Sequence, residues 1–164
     1  MCTTCDIIRG KCLPPGGFIF QNEYAILHHC LNISIPGYLI LSPIRHVNSY
    51  ADLTLKELTA IDLILKQSVC ILKQLDEVQK LYICSFGEET NHFHWHIFPR
   101  RMEVDFNEQV IDGAKYFSEA RKKYKVLEHE MLTSEKILRV VSYLQQRIKI
   151  DNGLRAEDRR TIER

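Results

Sequence analysis

The stretch His92-Phe93-His94-Trp95-His96-Ile97-Phe98 alternates three imidazoles with large apolar side chains. Alternation with period two is the pattern of a β-strand. On a strand, His92, His94 and His96 share one face, and Phe93, Trp95 and Ile97 share the other. The apolar face predicts burial against a core. The opposite face is a row of groups that titrate, ligate metals and attack electrophiles.

Upstream, Leu81-Tyr82-Ile83-Cys84-Ser85-Phe86 reads as a second strand. The polar turn 87–91, with its glycine, joins the two into a hairpin whose second arm carries the histidines and ends at Pro99. Before the hairpin, Thr54-Leu55-Lys56-Glu57 is a capping box. Leu58, Ile61, Leu65, Val69, Leu72 and Leu75 follow at steps of three and four, predicting a helix of about six turns that ends within 76–80 and covers one sheet face. Earlier still, Phe18-Ile19-Phe20, Tyr24-Ala25-Ile26-Leu27 and Tyr38-Leu39-Ile40-Leu41 read as short strands, the last opened by Pro36-Gly37 and closed by Pro43. His28 and His29 fall at a polar loop edge between them. Beyond residue 104, Val110, Ala114, Phe117 and Tyr124 define one helical face, with Arg121 beside it. Ile137, Val141, Leu144 and Ile148 define another behind a Thr133/Ser134 cap. The segment 151–164 is charged and nearly devoid of apolar residues, which predicts a solvated tail.

The chain has 164 residues, 45% hydrophobic and 26% charged, with a net charge of +1. These values predict one compact domain and give no reason to expect a nucleic-acid or membrane-surface partner. No apolar run approaches a spanning helix and no signal-peptide pattern opens the chain, so a cytoplasmic protein is expected. Six cysteines are present: Cys2, Cys5, Cys12, Cys30, Cys70 and Cys84. In a reducing compartment they read as thiols or metal ligands rather than a disulfide framework. The Cys2-x-x-Cys5 spacing suits a zinc site, a redox pair or neither, and zinc needs two further ligands. Cys70 in the helix and Cys84 in a strand read as small core residues.

From spacing alone, three chemistries stay open for the histidine row. It can ligate a catalytic metal, supply a nucleophile flanked by oxyanion-binding imidazoles, or stand as a structural polar face. A single ion cannot take all three, because on a straight strand they span about 13 Å.

The stretch 92–98 resembles the signature of the histidine-triad (HIT) superfamily at all seven positions, His-φ-His-φ-His-φ-φ, where φ is apolar. The context agrees. There is Pro-Gly before an apolar strand, then Arg45-His46-Val47 followed by Tyr50 and Asp52-Leu53, a capped helix, and a hairpin ending Phe98-Pro99-Arg100. The resemblance covers about residues 1–101. It implies an α+β domain over 1–104, with an antiparallel sheet of about five strands and one long helix. The helices of 105–150 would pack on it as an extension.

The same resemblance implies a function: a nucleotide hydrolase or nucleotidyl transferase acting at the α-phosphorus of a nucleoside phosphoester, phosphoanhydride or phosphoramidate. His94 would be the nucleophile. His96 would contact the phosphoryl oxygens and assist the leaving group. A zinc-containing branch implies structural zinc on Cys2, Cys5, His46 and His92. A homodimer formed by joining sheets is implied as well. Relatives often carry Gln or Ser toward the phosphates before the triad, where this chain has Glu88-Glu89-Thr90-Asn91. Asn91 is assigned to substrate on that basis, while a carboxylate there would repel phosphate unless turned away. His28 or His29 would take the ribose contact. Two rivals remain: a weakly active, zinc-stabilised nucleotide-binding module, and a metal-dependent hydrolase with His92 and His94 as ligands.

Overall fold

The computed structural model describes residues 2–101 and 112–149. The expected domain boundary at 104/105, Val110 and the tail 151–164 lie outside the described residues. The chain forms β1 (Phe18–Gln21), β2 (Ala25–His29), β3 (Leu39–Pro43), β4 (Val78–Cys84) and β5 (Trp95–Arg101). The helices are α1 (Thr3–Ile8), α2 (Leu55–Leu72), α3 (Gly113–Lys123), α4 (Glu128–Met131) and α5 (Glu135–Arg147), with a 3₁₀ turn at Tyr50–Asp52. The strands make one five-stranded sheet in the order β1-β2-β3-β5-β4, and each neighbouring pair is antiparallel. This is the expected α+β architecture.

Strand alternation splits the interior into two layers. One face carries Leu27, Leu39, Leu41, Ile97 and Trp95 against Ile61, Ile64, Ile71 and Leu72 of α2. The same cluster takes Ile137, Val140, Val141, Leu144 and Ile148, so α5 belongs to the main core rather than lying on a finished domain. The other face gathers Tyr38, Ile40 and Phe98 against Tyr116, Phe117 and Ala120 of α3. In register across the strands, His28 opposes Ile40, Ile40 opposes His96, and His96 opposes Cys84. The catalytic candidates therefore sit in the α3 layer.

Several details depart from expectation. The capping box on α2 forms as read, with Thr54 accepting from the Glu57 amide and Glu57 reaching back to the Thr54 amide. However, α2 stops at Leu72, and its buried stripe is Ala60, Ile61, Ile64, Ser68, Ile71 and Leu72. Leu65 and Val69 flank that stripe. Cys70 is exposed and is not a core residue. The buried face of α3 is Tyr116, Phe117 and Ala120, while Ala114 points outward. Apolar spacing alone left the phase of both helices uncertain by one position, and the larger ring, Tyr116, took the interior place. The regular part of β5 starts at Trp95, so His92 and His94 precede it. β2 runs through His29, which removes both histidines from the loop edge.

Candidate functional site

His92 and the N-terminal arm build the first half of the site. Cys2 caps α1, its sulfur accepting from the Cys5 amide at 3.4 Å. This turn brings both thiols to the same side. Cys5 Sγ lies 3.2 Å from His46 Nδ1 and 3.5 Å from His92 Nδ1, and Cys2 Sγ lies 3.6 Å from His92 Nδ1. All four ligand atoms fall within 4.8 Å of one another. Ligands at tetrahedral angles around zinc sit roughly 3.3–3.8 Å apart, so the set has the span that one ion requires.

The outer nitrogens agree with that reading. His92 Nε2 faces the Pro43 carbonyl at 3.0 Å, and His46 Nε2 faces Asn48 Oδ1 at 3.2 Å. A proton held at Nε2 leaves the Nδ1 lone pair of both rings turned inward. Burial opposes ionisation of Cys2, yet hydrogen bonds from the Cys5 amide, the Cys5 side chain and Thr90 outweigh it and hold the thiol below its ordinary pKa. Burial, together with the neighbouring Cys2, raises Cys5. The donor set therefore fits zinc, and among the described residues no other group of ligating side chains gathers in this way.

The second half of the site is the His94–His96 pair. His94 Nδ1–H donates to the His92 carbonyl at 2.8 Å. This fixes the tautomer and leaves Nε2 as a lone pair. That atom lies 3.1 Å from His96 Nε2. His96 Nδ1 meets the Tyr38 hydroxyl at 2.8 Å. Burial, with His94 and Arg121 adding to it, pushes His96 down to about 3, so it is neutral in the free protein. Burial drives the Tyr38 hydroxyl far above its ordinary range and keeps it protonated. A hydroxyl both donates and accepts, so Tyr38 can hold His96 in either charge state.

Because His92 turns toward the thiols while His94 turns toward His96, the two do not converge. The metal-hydrolase reading with His92 and His94 as joint ligands is not supported by the geometry.

A cavity of about 520 Å³ opens on His94 and His96 and is walled by Phe86, Glu89, Phe117 and Arg121 among others. A smaller one of about 180 Å³ adjoins it and includes His28, Cys30 and Thr90. His28 is 2% exposed, its Nδ1 tied to the His29 carbonyl at 2.8 Å and its Nε2 without a partner. Burial lowers it to about 4, so Nε2 is an unpaired acceptor, itself closed off from solvent, near His94.

The structure does not bring His29 or Asn91 to these cavities. His29 lies on the opposite sheet face, opposing Leu39. Its nitrogens face the carbonyls of Cys30 and Ile35 at 2.8 and 3.0 Å. Neighbouring strand residues point oppositely, so only one of the two histidines could face the site. Asn91 is exposed and lines neither cavity.

Cys30 is pushed up to about 11 by burial and stays a thiol, so it does not compete with His94 as a nucleophile. Sequence reasoning left Tyr38 as a buried strand residue and Arg121 as a helix-flanking charge. Only the cross-strand register and the position of α3 give them their places.

No family model matches the chain. A HIT-like protein of Methanocaldococcus jannaschii, itself uncharacterised, is 27% identical over 104 residues, which is 61% of this chain and 79% of that protein. Among solved structures, a HIT-like protein from Bartonella henselae, described as involved in cell-cycle regulation, aligns with a TM-score of 0.58 at 12% identity. That alignment covers 87% of this chain and 93% of the other. A zinc-bound histidine-triad family protein from Mycobacterium smegmatis aligns with a TM-score of 0.56 at 14% identity, covering 88% and 96%. At these identities the structural likenesses speak for the fold.

Proposed function

Taking the chain as a histidine-triad protein, which its fold and motif make it, we propose that it is a nucleotide hydrolase or nucleotidyl transferase working through a covalent intermediate on His94. The single observation that carries this reading is the His94 ring. Its Nδ1–H is committed to the His92 carbonyl, and its Nε2 lone pair lies 3.1 Å from His96 Nε2 where both rings line the cavity. An imidazole so held attacks in line with that lone pair, while the carbonyl offsets the positive charge growing on the ring.

In the first step, the His94 Nε2–phosphorus bond forms as the bond to the leaving group breaks. A negative phosphoryl group arriving against His96 favours its protonated form. His96 Nε2–H then passes its proton to the leaving group, and Nδ1–H is received by the Tyr38 oxygen. In the second step, water or another acceptor attacks phosphorus, gives its proton to His96 and frees His94. The His28 Nε2 acceptor suits a ribose hydroxyl.

Zinc on Cys2, Cys5, His46 and His92 belongs to the same proposal, supported by the donor set and by the zinc-bound structural relative. When bound, it supplies cross-linking rather than chemistry at phosphorus. The chain's own residues hold the His92 carbonyl where His94 needs it. A homodimer is proposed through β4, an edge strand that presents Ile83 at 48% exposure. Among the described residues, no helix is long and apolar enough to cross a membrane.

One observation favours a weakly active binding module instead: Glu88 and Glu89 line the cavity where phosphate must enter. Rapid-quench intact-mass measurement with adenosine phosphoramidate and diadenosine polyphosphates separates the two readings. The enzyme shows a nucleotidyl adduct that His94→Ala lacks, with turnover reduced about 10⁴-fold or more in the variant. Affinity without adduct or turnover leaves the binding module.

A further inference from the structure

The larger cavity is not walled by the sheet alone. Ala114, Phe117, Ser118, Arg121 and Lys122 of α3 form one side, and Lys125 follows them. That side is fixed in place. Tyr116, Phe117 and Ala120 are buried against Tyr38 and Phe98. The chain after α3 is stitched to the β2–β3 connection by Ser34 N–H to the Tyr124 carbonyl at 2.8 Å and Val126 N–H to the Asn32 carbonyl at 3.0 Å.

Among the described residues, Arg121 is the one cation that lines both cavities with His94 and His96. Its side chain is 22% exposed, and its guanidinium lies 5.4 Å from the Phe117 ring centre, which stands 5.4 Å from the His96 ring. Packing on Phe117 limits its freedom before any ligand arrives. Its Nε is buried without a partner. Its Nη2 donates to Glu89 Oε1 at 2.8 Å, but that carboxylate is 74% exposed and approaches from a loop. An exposed partner of this kind is held weakly and is readily exchanged for a bidentate anion.

We propose that Arg121, with Lys122 and Lys125 on the same rim, is a subsite for the phosphate chain on the leaving side of the attacked phosphorus, with Glu89 as the resident carboxylate it displaces. The substrate class is then a nucleoside phosphoanhydride carrying at least one further phosphate, and this rests on the nucleotidyl-transfer reading above. The Arg121–Glu89 pair also accounts for Glu89 at a phosphate-binding mouth. Glu89 neutralises Arg121 in the free protein and swings outward when phosphate takes its place.

The test uses the full chain and inorganic tripolyphosphate, followed by calorimetry. Arg121→Ala weakens tripolyphosphate binding about tenfold or more, Arg121→Lys weakens it less, and Glu89→Gln strengthens it. In parallel, the ratio of kcat/KM for diadenosine tetraphosphate to that for adenosine phosphoramidate, whose leaving group is a neutral amine, falls at least tenfold in Arg121→Ala. Arg121→Lys and Glu89→Gln keep the test open if Arg121→Ala folds poorly. Arg121-dependent tripolyphosphate binding without turnover of any nucleotide would overturn the enzymatic reading and leave the subsite standing. Turnover with tripolyphosphate affinity and substrate ratio unmoved in both Arg121 variants and in Glu89→Gln would overturn the subsite.

Discussion

The two ends of the histidine stretch use one residue type for opposite purposes. At the first end, His92 and His46 give their Nε2 atoms to oxygen acceptors and turn Nδ1 toward two thiols. At the other end, His94 gives its Nδ1 proton to a carbonyl and turns Nε2 toward His96 at the cavity wall. Nothing in the side chains differs. The neighbouring oxygen chooses which nitrogen is spent, and that choice divides a ligand from a nucleophile. His92 serves both ends, since its ring faces the thiols while its backbone carbonyl holds His94.

The largest effect that can break this contrast is removal of the proposed zinc. Chelation, or Cys5→Ser, should release residues 2–9 and cost several kcal/mol, a fall in Tm of roughly 10 °C or more. Hydrogen exchange at α1 reads this directly. An arm that stays protected after chelation would mean that the cluster is held by packing alone.

Acidification comes next, and it acts on both layers, since burial also lowers His29 on the opposite face to about 4. His28 and His96 are held at about 4 and about 3 in the folded chain by burial, below the 6.5 of an ordinary histidine. The unfolded chain therefore binds more protons than the folded one below pH 6.5, and stability falls as pH drops. Each group contributes about 1.4 kcal/mol per pH unit until its folded pKa is passed. Urea unfolding between pH 7 and 4 measures the slope. His28→Asn should flatten it by one group's share, and an unchanged slope would show that His28 is not buried as a neutral ring.

Tyr38→Phe is smaller. It removes the hydroxyl that holds His96 in both charge states, so kcat should fall about tenfold with little change in KM, and the pH profile of kcat should move. A loss in KM alone would make Tyr38 a packing residue.

The smallest test concerns independence of the two ends. Thr54→Ala loosens the cap that orients Glu57, which is held at about 2 by its bidentate partner Arg45 and binds it beside His46. A cost of about 1 kcal/mol with kcat unchanged is expected. A fall in kcat would couple the cap, through the metal end, to catalysis.

The alternation at 92–98 announced the strand and the hairpin, because period two is a local property, but the strand starts only at Trp95 and the His92 and His94 rings part ways before it. The capping box located the start of α2 for the same reason. The phases of α2 and α3 were not legible, since several apolar residues compete for the buried stripe and only the shape of the sheet decides. His28 and His29 could not be separated without the register of β2. Arg121 lies 25 residues or more from His96, His94 and Tyr38, and its place depends on how α3 crosses the sheet. The cluster of Cys2, Cys5, His46 and His92 was the reverse case. Its donor chemistry is so restrictive that residue types and order were enough to suggest it.

Gly16 has a φ of +71°, and a Cβ there would stand 2.7 Å from Val141 Cγ1. The α5 helix is thus pressed against the start of β1, and Gln145 Nε2–H groups bridge to the carbonyls of Gly16 and Phe18. These contacts join residues separated by 129 and 127 positions. During synthesis, the first strand must therefore wait for the last described helix before its core layer can close. Closure of so long a loop is paid before its contacts return anything, which makes a slow folding step. Until α5 emerges from the ribosome, the Leu27, Leu39 and Leu41 face of the sheet lacks part of its cover, and the nascent chain is most open to aggregation in that interval.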